Sequence, residues 1–74
     1  MTYNFSADIV WDKEIGQYIG IVPYLPGAHT QASTLDELQE NLQDVIKLCL
    51  QELTEDEKAD LPQFVGTQNI SIAV

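Results

Sequence analysis

Residues that could perform chemistry are few in this chain, and they do not converge on one site. His29 is the single histidine and Cys49 the single cysteine. A zinc site needs several nitrogen or sulfur ligands, and neither residue has a His or Cys neighbour in the sequence. Cys49 falls at helical spacing on an apolar stripe, so we expect a small buried hydrophobe and not a nucleophile. We expect His29 to be an ordinary surface residue on a short strand.

Three carboxylates near the start of the chain, Asp8, Asp12 and Glu14, raise the possibility of a metal-dependent nuclease. Such an enzyme needs several carboxylates that converge on two metal ions. No further carboxylate is predicted on the last strand or on the inner face of the helix. The chain also lacks a G-x-G-x-x-G, a P-loop and a G-x-S-x-G motif. The sequence therefore predicts no catalytic, cofactor-binding or metal site, and a protein that is not an enzyme.

Two features are candidates for contact with a partner. The run Glu55, Asp56, Glu57 is the densest group of acidic residues. It has two interpretations: a solvated face that caps a helix, or a docking surface for basic residues. Tyr24 follows a proline in a predicted loop, and tyrosine is enriched at interface hot spots. We therefore predict partner-binding roles for Tyr24, Glu55, Asp56 and Glu57.

Hydrophobic periodicity predicts the elements that carry these residues. Alternation with period two predicts strands, and an apolar stripe with helical spacing predicts one long helix. The strands are expected at residues 3–11, 17–22, 29–33 and 69–74, and the helix from Leu35 to about Leu53. Thr34 and Glu37 are spaced as a capping box at the start of that helix. Residues 12–16 form a polar connection that contains Gly16 and predict a hairpin longer than two residues. The sequence Leu25-Pro26-Gly27-Ala28 fits a type II turn. The aromatic residues of the first strand are expected to face inward.

The order of elements, β-β-β-α-β, predicts an α+β fold with one domain over residues 1–74. Three antiparallel strands and a right-handed crossover to a fourth strand, parallel to the first, would give a mixed four-stranded sheet of order 3-2-1-4. One long helix would cover one face of this sheet. The other face would stay open.

The charge balance restricts the partners. Twelve acidic residues stand against three lysines and no arginine, and the formal net charge is −9. Binding to nucleic acid is not expected, because phosphate contacts need cations. The acidity favours a basic protein partner, although it could also serve only to keep a small protein soluble. A small chain buries little of its surface, so self-association to a dimer or larger is expected.

The sequence also predicts a cytoplasmic location. A single cysteine allows no internal disulfide and fits a reducing compartment. No apolar run approaches the length of a membrane span. The first residues lack the basic and apolar regions of a signal peptide.

An ordered set of residues in the first two thirds of the chain resembles the HicB-type antitoxin family. In order these are Gly16, Tyr18, Val22, Pro23, Leu25, Pro26, Gly27, Thr30, Gln31, Thr34, Leu35 and Glu37. The resemblance extends to about Leu53. The chain departs from the family pattern at Tyr24, Ala28 and Ala32, where the family favours an acidic residue, a small thiol and a glycine. The family has a sheet-plus-helix architecture described as a truncated relative of ribonuclease H.

The resemblance implies an antitoxin of a type II toxin–antitoxin system. Such a protein would bind a small basic HicA-type toxin, an mRNA-cleaving ribonuclease, and cover its RNA-binding surface without any cofactor. Many family members add a C-terminal DNA-binding module, whereas this chain stops at Val74, the last residue of the predicted fourth strand. The resemblance therefore implies a short form that does not bind DNA itself. The alternatives are an orphan acidic interaction domain with a different partner, and a degenerate nuclease.

Overall fold

The computed structural model describes residues 2–74 and contains three strands and two helices. In chain order these are β1 (Asp8–Asp12), β2 (Gln17–Ile21), β3 (His29–Ala32), α1 (Leu35–Gln51) and α2 (Glu55–Ala59). The strands form an antiparallel sheet of order β1-β2-β3. The second and third strands and the long helix therefore lie close to their predicted positions.

The connection between β1 and β2 is a hairpin closed by polar groups. An Asp12 carboxylate oxygen accepts the Glu14 backbone N–H at 2.9 Å. The Gly16 N–H donates to the Asp12 carbonyl at 2.9 Å. Gly16 has a φ of 67°, which a residue without a Cβ adopts at little cost. The prediction of a glycine-containing hairpin longer than two residues is confirmed.

The loop between β2 and β3 folds back onto the core. The Ala28 N–H donates to the Leu25 carbonyl at 3.1 Å and closes a four-residue turn. Gly27, the third residue of that turn, has a φ of 80°, as a type II turn requires. The Val22 N–H then donates to the Ala28 carbonyl at 2.8 Å. As a result, Leu25 is buried in the core although it lies in a loop.

Helix α1 begins at the predicted cap. The Thr34 hydroxyl accepts the Glu37 N–H at 3.1 Å. Asp36 and Glu37 occupy the first turn, where the helix dipole favours negative charge. The predicted capping box is only half formed, because the Glu37 carboxylate accepts the Ser33 hydroxyl at 3.5 Å.

The core lies between α1 and the inner side of β2 and β3. Its buried members are Val22, Leu25, Ala28, Ala32, Leu38 and Leu42. Gly20 lets the helix approach the sheet, because a Cβ at this position would lie 3.0 Å from Leu42 Cδ1. The Asn41 amide donates to the Gln31 carbonyl at 3.4 Å and joins the helix to β3.

The predicted four-stranded sheet of order 3-2-1-4 is wrong. The sheet has three strands, all antiparallel, and residues 62–74 contain no strand or helix. Ile70 and Ile72 are 75% and 78% exposed, so the alternating pattern of this segment is not matched by burial. Strand preference depends on packing against neighbouring strands and on burial. Alternation alone does not provide the partner that pairs with the segment.

The first strand is also shorter than predicted. It begins at Asp8, and residues 3–7 are not in a strand. Phe5 and Ala7 are partly buried against the core, whereas Ile9 and Trp11 are largely exposed. The expected burial is therefore found only at Phe5 and Ala7, which precede β1. The reason is that α1 packs mainly on β3 and β2 and makes few contacts with β1.

Candidate protein-binding surface

The strand register shows which residues share a face of the sheet. Ile9 lies opposite Gly20, and Trp11 lies opposite Tyr18. Since opposite residues of an antiparallel pair point to the same side, these residues share the side that α1 packs on. The other side, the open face, carries Asp8, Val10 and Asp12 from β1. Strand β1 thus presents apolar residues on one side and an acidic-apolar-acidic row on the other.

Strand β1 exposes three consecutive large apolar side chains. Ile9, Val10 and Trp11 are 49%, 55% and 53% exposed. Trp11 packs edge-to-face on Tyr18, with ring centroids 4.7 Å apart, and so holds a defined position. We call the five residues Asp8, Ile9, Val10, Trp11 and Asp12 the β1 edge surface. Exposed apolar groups rimmed by charge are typical of protein-binding surfaces.

The two carboxylates of the β1 edge surface differ in their surroundings. Asp8 is exposed. Asp12 is half-buried, and one of its oxygens accepts the Glu14 N–H at 2.9 Å. Asp12 therefore helps to hold the hairpin as well as contributing charge to the surface.

Tyr24 lies in the loop after Pro23 and is exposed, as predicted. It borders an open cleft of about 280 Å³ that is also lined by Ser6, Asp8 and Phe64. The structure therefore places Tyr24 and one end of the β1 edge surface around the same depression. A partner that covers Asp8 could reach Tyr24.

The acidic run Glu55, Asp56, Glu57 forms the first turn of α2. The Glu57 carboxylate accepts the Thr54 N–H at 2.9 Å, and the Thr54 hydroxyl accepts the Glu57 N–H at 3.1 Å. These bonds complete a capping box. The Thr54 backbone N–H, and to a smaller extent the Thr54 hydroxyl, hold the pKa of Glu57 below its ordinary value of 4.5. Glu55 lies 3.4 Å from the Lys58 ammonium. Two of the three carboxylates thus contribute to the local structure of the short helix.

Among residues 2–74, no hydrogen bond joins Tyr24 to the acidic run.

The residues that sequence reasoning missed are Ile9, Val10 and Trp11. Their alternation predicted that Ile9 and Trp11 would be buried. No feature of the sequence indicates that the helix stops short of them.

His29 and Cys49 occupy separate places. His29 is exposed on β3, in the row of the open face that contains Asp8 and Ile21. Cys49 is half-buried beside the core, about 4.0 Å from the position of a Cβ on Gly27. Among the described residues, no group of three His, Cys, Asp or Glu side chains is arranged to hold a metal ion. Within the same residues, neither helix is both long and apolar enough to cross a membrane.

Residues 4–69 match the model of the family described as "Domain of unknown function (DUF1902)". The chain is also similar to a "UPF0150 protein" of Thermotoga maritima, with 40% identity over 68 residues that cover 92% of this chain and 88% of the relative. A UPF0150 protein of Synechocystis is 41% identical over 59 residues, which cover 80% of this chain and 81% of the relative. One of Archaeoglobus fulgidus is 38% identical over 66 residues, covering 89% and 91%. No solved structure matches the chain significantly.

Proposed function

The chain belongs to the DUF1902 family, and from this premise we propose that it is a HicB-type antitoxin. It binds a small basic HicA-type toxin, an mRNA-cleaving ribonuclease of a type II toxin–antitoxin system, and covers the toxin's RNA-binding surface. It acts by binding alone and not as an enzyme. The proposal is supported by the residue pattern between Gly16 and Glu37 and by the charge of the chain.

The residues of this pattern have structural roles. Gly16 closes the hairpin and Gly27 the following turn, while Leu25 is buried and Thr34 caps α1. The pattern therefore supports membership of a fold and does not itself form a contact surface. The exposed acidic and apolar residues outside the pattern are the candidates for contact with a toxin.

The observation that carries the proposal is the net charge of −9, with twelve carboxylates in 74 residues. A ribonuclease must hold RNA phosphates with cations, because phosphate contacts dominate the affinity for nucleic acid. An acidic protein competes for the same cationic surface and is steered toward it during association. The same charge repels RNA and DNA, so the proposal includes no direct binding to nucleic acid.

The proposal also includes self-association in the cytoplasm. The β3 edge of the sheet lacks a further strand among residues 2–74, and the open face exposes Val10 and Ile21. Unpaired edges and exposed apolar residues favour association. We expect a dimer or larger species in sedimentation equilibrium at micromolar concentration. A monomer mass would contradict this part of the proposal.

The experiment that tests the function is a ribonuclease inhibition assay. A HicA-type toxin is purified, the first candidate being any small basic protein encoded beside this gene, and its cleavage of an mRNA is measured while this chain is titrated in. We expect complete inhibition near equimolar ratio and an association rate that falls as salt is raised. A basic ribonuclease of unrelated fold serves as the control and should keep its activity.

Two other outcomes have different meanings. Binding of a basic partner that does not cleave RNA would refute the antitoxin role and support the orphan acidic interaction domain. Tight binding of RNA by this chain alone would refute both.

The contribution of the acidic run to toxin binding is tested with Glu55→Gln and Asp56→Asn. Glu57 is left unchanged because it also caps α2.

A further inference from the structure

Apart from its two aspartates and its short length, strand β1 lacks the features that usually protect the edge of a sheet. Edge strands are commonly shielded by lysine, proline, bulges or covering elements. The sequence of β1, Asp8–Asp12, has no lysine and no proline, and its register with β2 is continuous. Helix α1 packs mainly on β3 and β2 and covers β1 only slightly. Its outer backbone N–H and C=O groups therefore face no strand among the described residues.

The side chains of β1 alternate in chemistry as well as in direction. On the open face, Asp8 and Asp12 lie on either side of Val10. On the helix side, Ile9 and Trp11 are about half exposed, and Tyr18 supports the Trp11 ring. An added strand would meet a negative charge near each of its two ends on one face and apolar groups on the other.

We propose that the β1 edge surface binds an extended basic segment of the partner protein, which adds to the sheet as a strand antiparallel to β1. Lysine or arginine residues of that segment lie opposite Asp8 and Asp12, and apolar residues lie opposite Ile9 and Trp11. Backbone hydrogen bonds supply affinity and the alternating side chains supply selectivity, as in other β-strand additions. This inference rests on the proposed basic protein partner, although it does not require that partner to be a ribonuclease.

Charge complementarity distinguishes this occupant from two others. A second copy of the chain, paired antiparallel about Val10, would place Asp8 directly opposite Asp12 of the other copy at both ends of the pairing. Like charges in that position are destabilising. The segment 69–74 of this chain has suitable alternation but contains no lysine or arginine, so it would leave both carboxylates without a counter-charge. A basic strand satisfies the backbone, the apolar residues and the carboxylates together.

The test is an NMR titration of the full chain with three capped seven-residue peptides. The first has the central sequence lysine–isoleucine–threonine–valine–lysine, which places lysines opposite Asp8 and Asp12. The second has glutamate in place of both lysines, and the third moves the lysines by one position to the other face. We expect amide shifts confined to β1 and the neighbouring β2 with the first peptide. Each mismatched charge should weaken binding roughly two- to five-fold.

A charge exchange makes the test specific. Asp8→Lys should lower the affinity for the lysine peptide and raise the affinity for a peptide with glutamate opposite position 8. Glu40→Lys is the matched control, because it changes the charge equally on the exposed side of α1 and should preserve the order of the peptides. Equal binding of all three peptides, shifts confined to β3, or the same response to both substitutions would overturn the proposal. Line broadening of β1 amides with rising protein concentration alone would assign this edge to a second copy and also overturn it.

The result can be separated from the outcome of the inhibition assay. If this chain inhibits the toxin while Asp8→Lys leaves both peptide preference and inhibition unchanged, the docking site is wrong and the antitoxin function stands. If the lysine peptide binds β1 with the expected preference but no ribonuclease is inhibited, the docking site stands and the partner is of another class.

Discussion

The close approach of α1 to β2 at Gly20 predicts a reversal of sign in a double-mutant cycle. A Cβ at Gly20 would lie 3.0 Å from Leu42 Cδ1, 3.2 Å from Leu42 Cδ2 and 3.4 Å from Leu38 Cδ1. Leu42 and Leu38 are only 5% and 1% exposed, so neither can move into solvent without loss of burial. Overpacking of this kind costs about 1–3 kcal/mol. The Gly→Ala change also restricts the unfolded chain, which offsets about 0.4–1 kcal/mol.

We therefore expect Gly20→Ala to lower the free energy of unfolding by about 1 kcal/mol in the native background. Leu42→Ala alone should cost about 2–5 kcal/mol, because it leaves a cavity under the helix. In the Leu42→Ala background the two nearest methyl groups are gone. There, Gly20→Ala should raise the free energy of unfolding by about 0.4–1 kcal/mol.

Urea denaturation followed by circular dichroism measures all four free energies of unfolding. If Leu42→Ala does not fold, Leu42→Val replaces it in the cycle. Gly66→Ala is the control, since a Cβ at Gly66 meets no atom within 4 Å, and its effect should be additive with Leu42→Ala. If Gly20→Ala has the same effect in both backgrounds, the helix does not contact the sheet through Leu42 and the packing described above is wrong.

Two further predictions concern the helix caps. Thr34→Ala should lower the free energy of unfolding by about 1 kcal/mol, because the hydroxyl that accepts the Glu37 N–H is lost; thermal denaturation would show this, and Ser33→Ala, which leaves the cap intact, should have a much smaller effect. The lowered pKa of Glu57 means that its contribution to α2 is fully present above pH 4.5 and is lost as the pH falls through the lower folded-state pKa. The NMR titration midpoint of the Glu57 carboxyl should rise toward 4.5 in Thr54→Val, and an unchanged midpoint would contradict the capping box.

Caps and turns were predicted more accurately than the pairing of strands that are distant in sequence. Thr34, Gly16 and Gly27 were correctly placed at a cap and two turns, because these roles depend on the backbone within a few residues. The prediction of a fourth strand was wrong because alternation shows only that a segment is suited to a sheet. Pairing must also offset the entropy of ordering the segment beside an edge that is distant in sequence.

The binding surface was missed for a related reason. The alternation of β1 correctly predicts that Ile9 and Trp11 share one face, and the register confirms this. It does not reveal how far α1 extends across the sheet, which is fixed by the contacts of Leu38 and Leu42 with Gly20. The apolar residues whose alternation predicts burial are thus exposed at the sheet edge.

The position of α1 over β2 and β3 connects the fold to the proposed binding of a basic strand. Since the small residues Gly20 and Ala32 lie on β2 and β3, the helix packs closely there and leaves β1 largely uncovered. A protein with an uncovered edge is exposed to non-specific pairing, and two carboxylates on one face of β1 oppose pairing between copies in register. The same carboxylates favour a strand that brings cations. Charge on β1 can therefore limit self-pairing and select a basic partner through a single physical interaction.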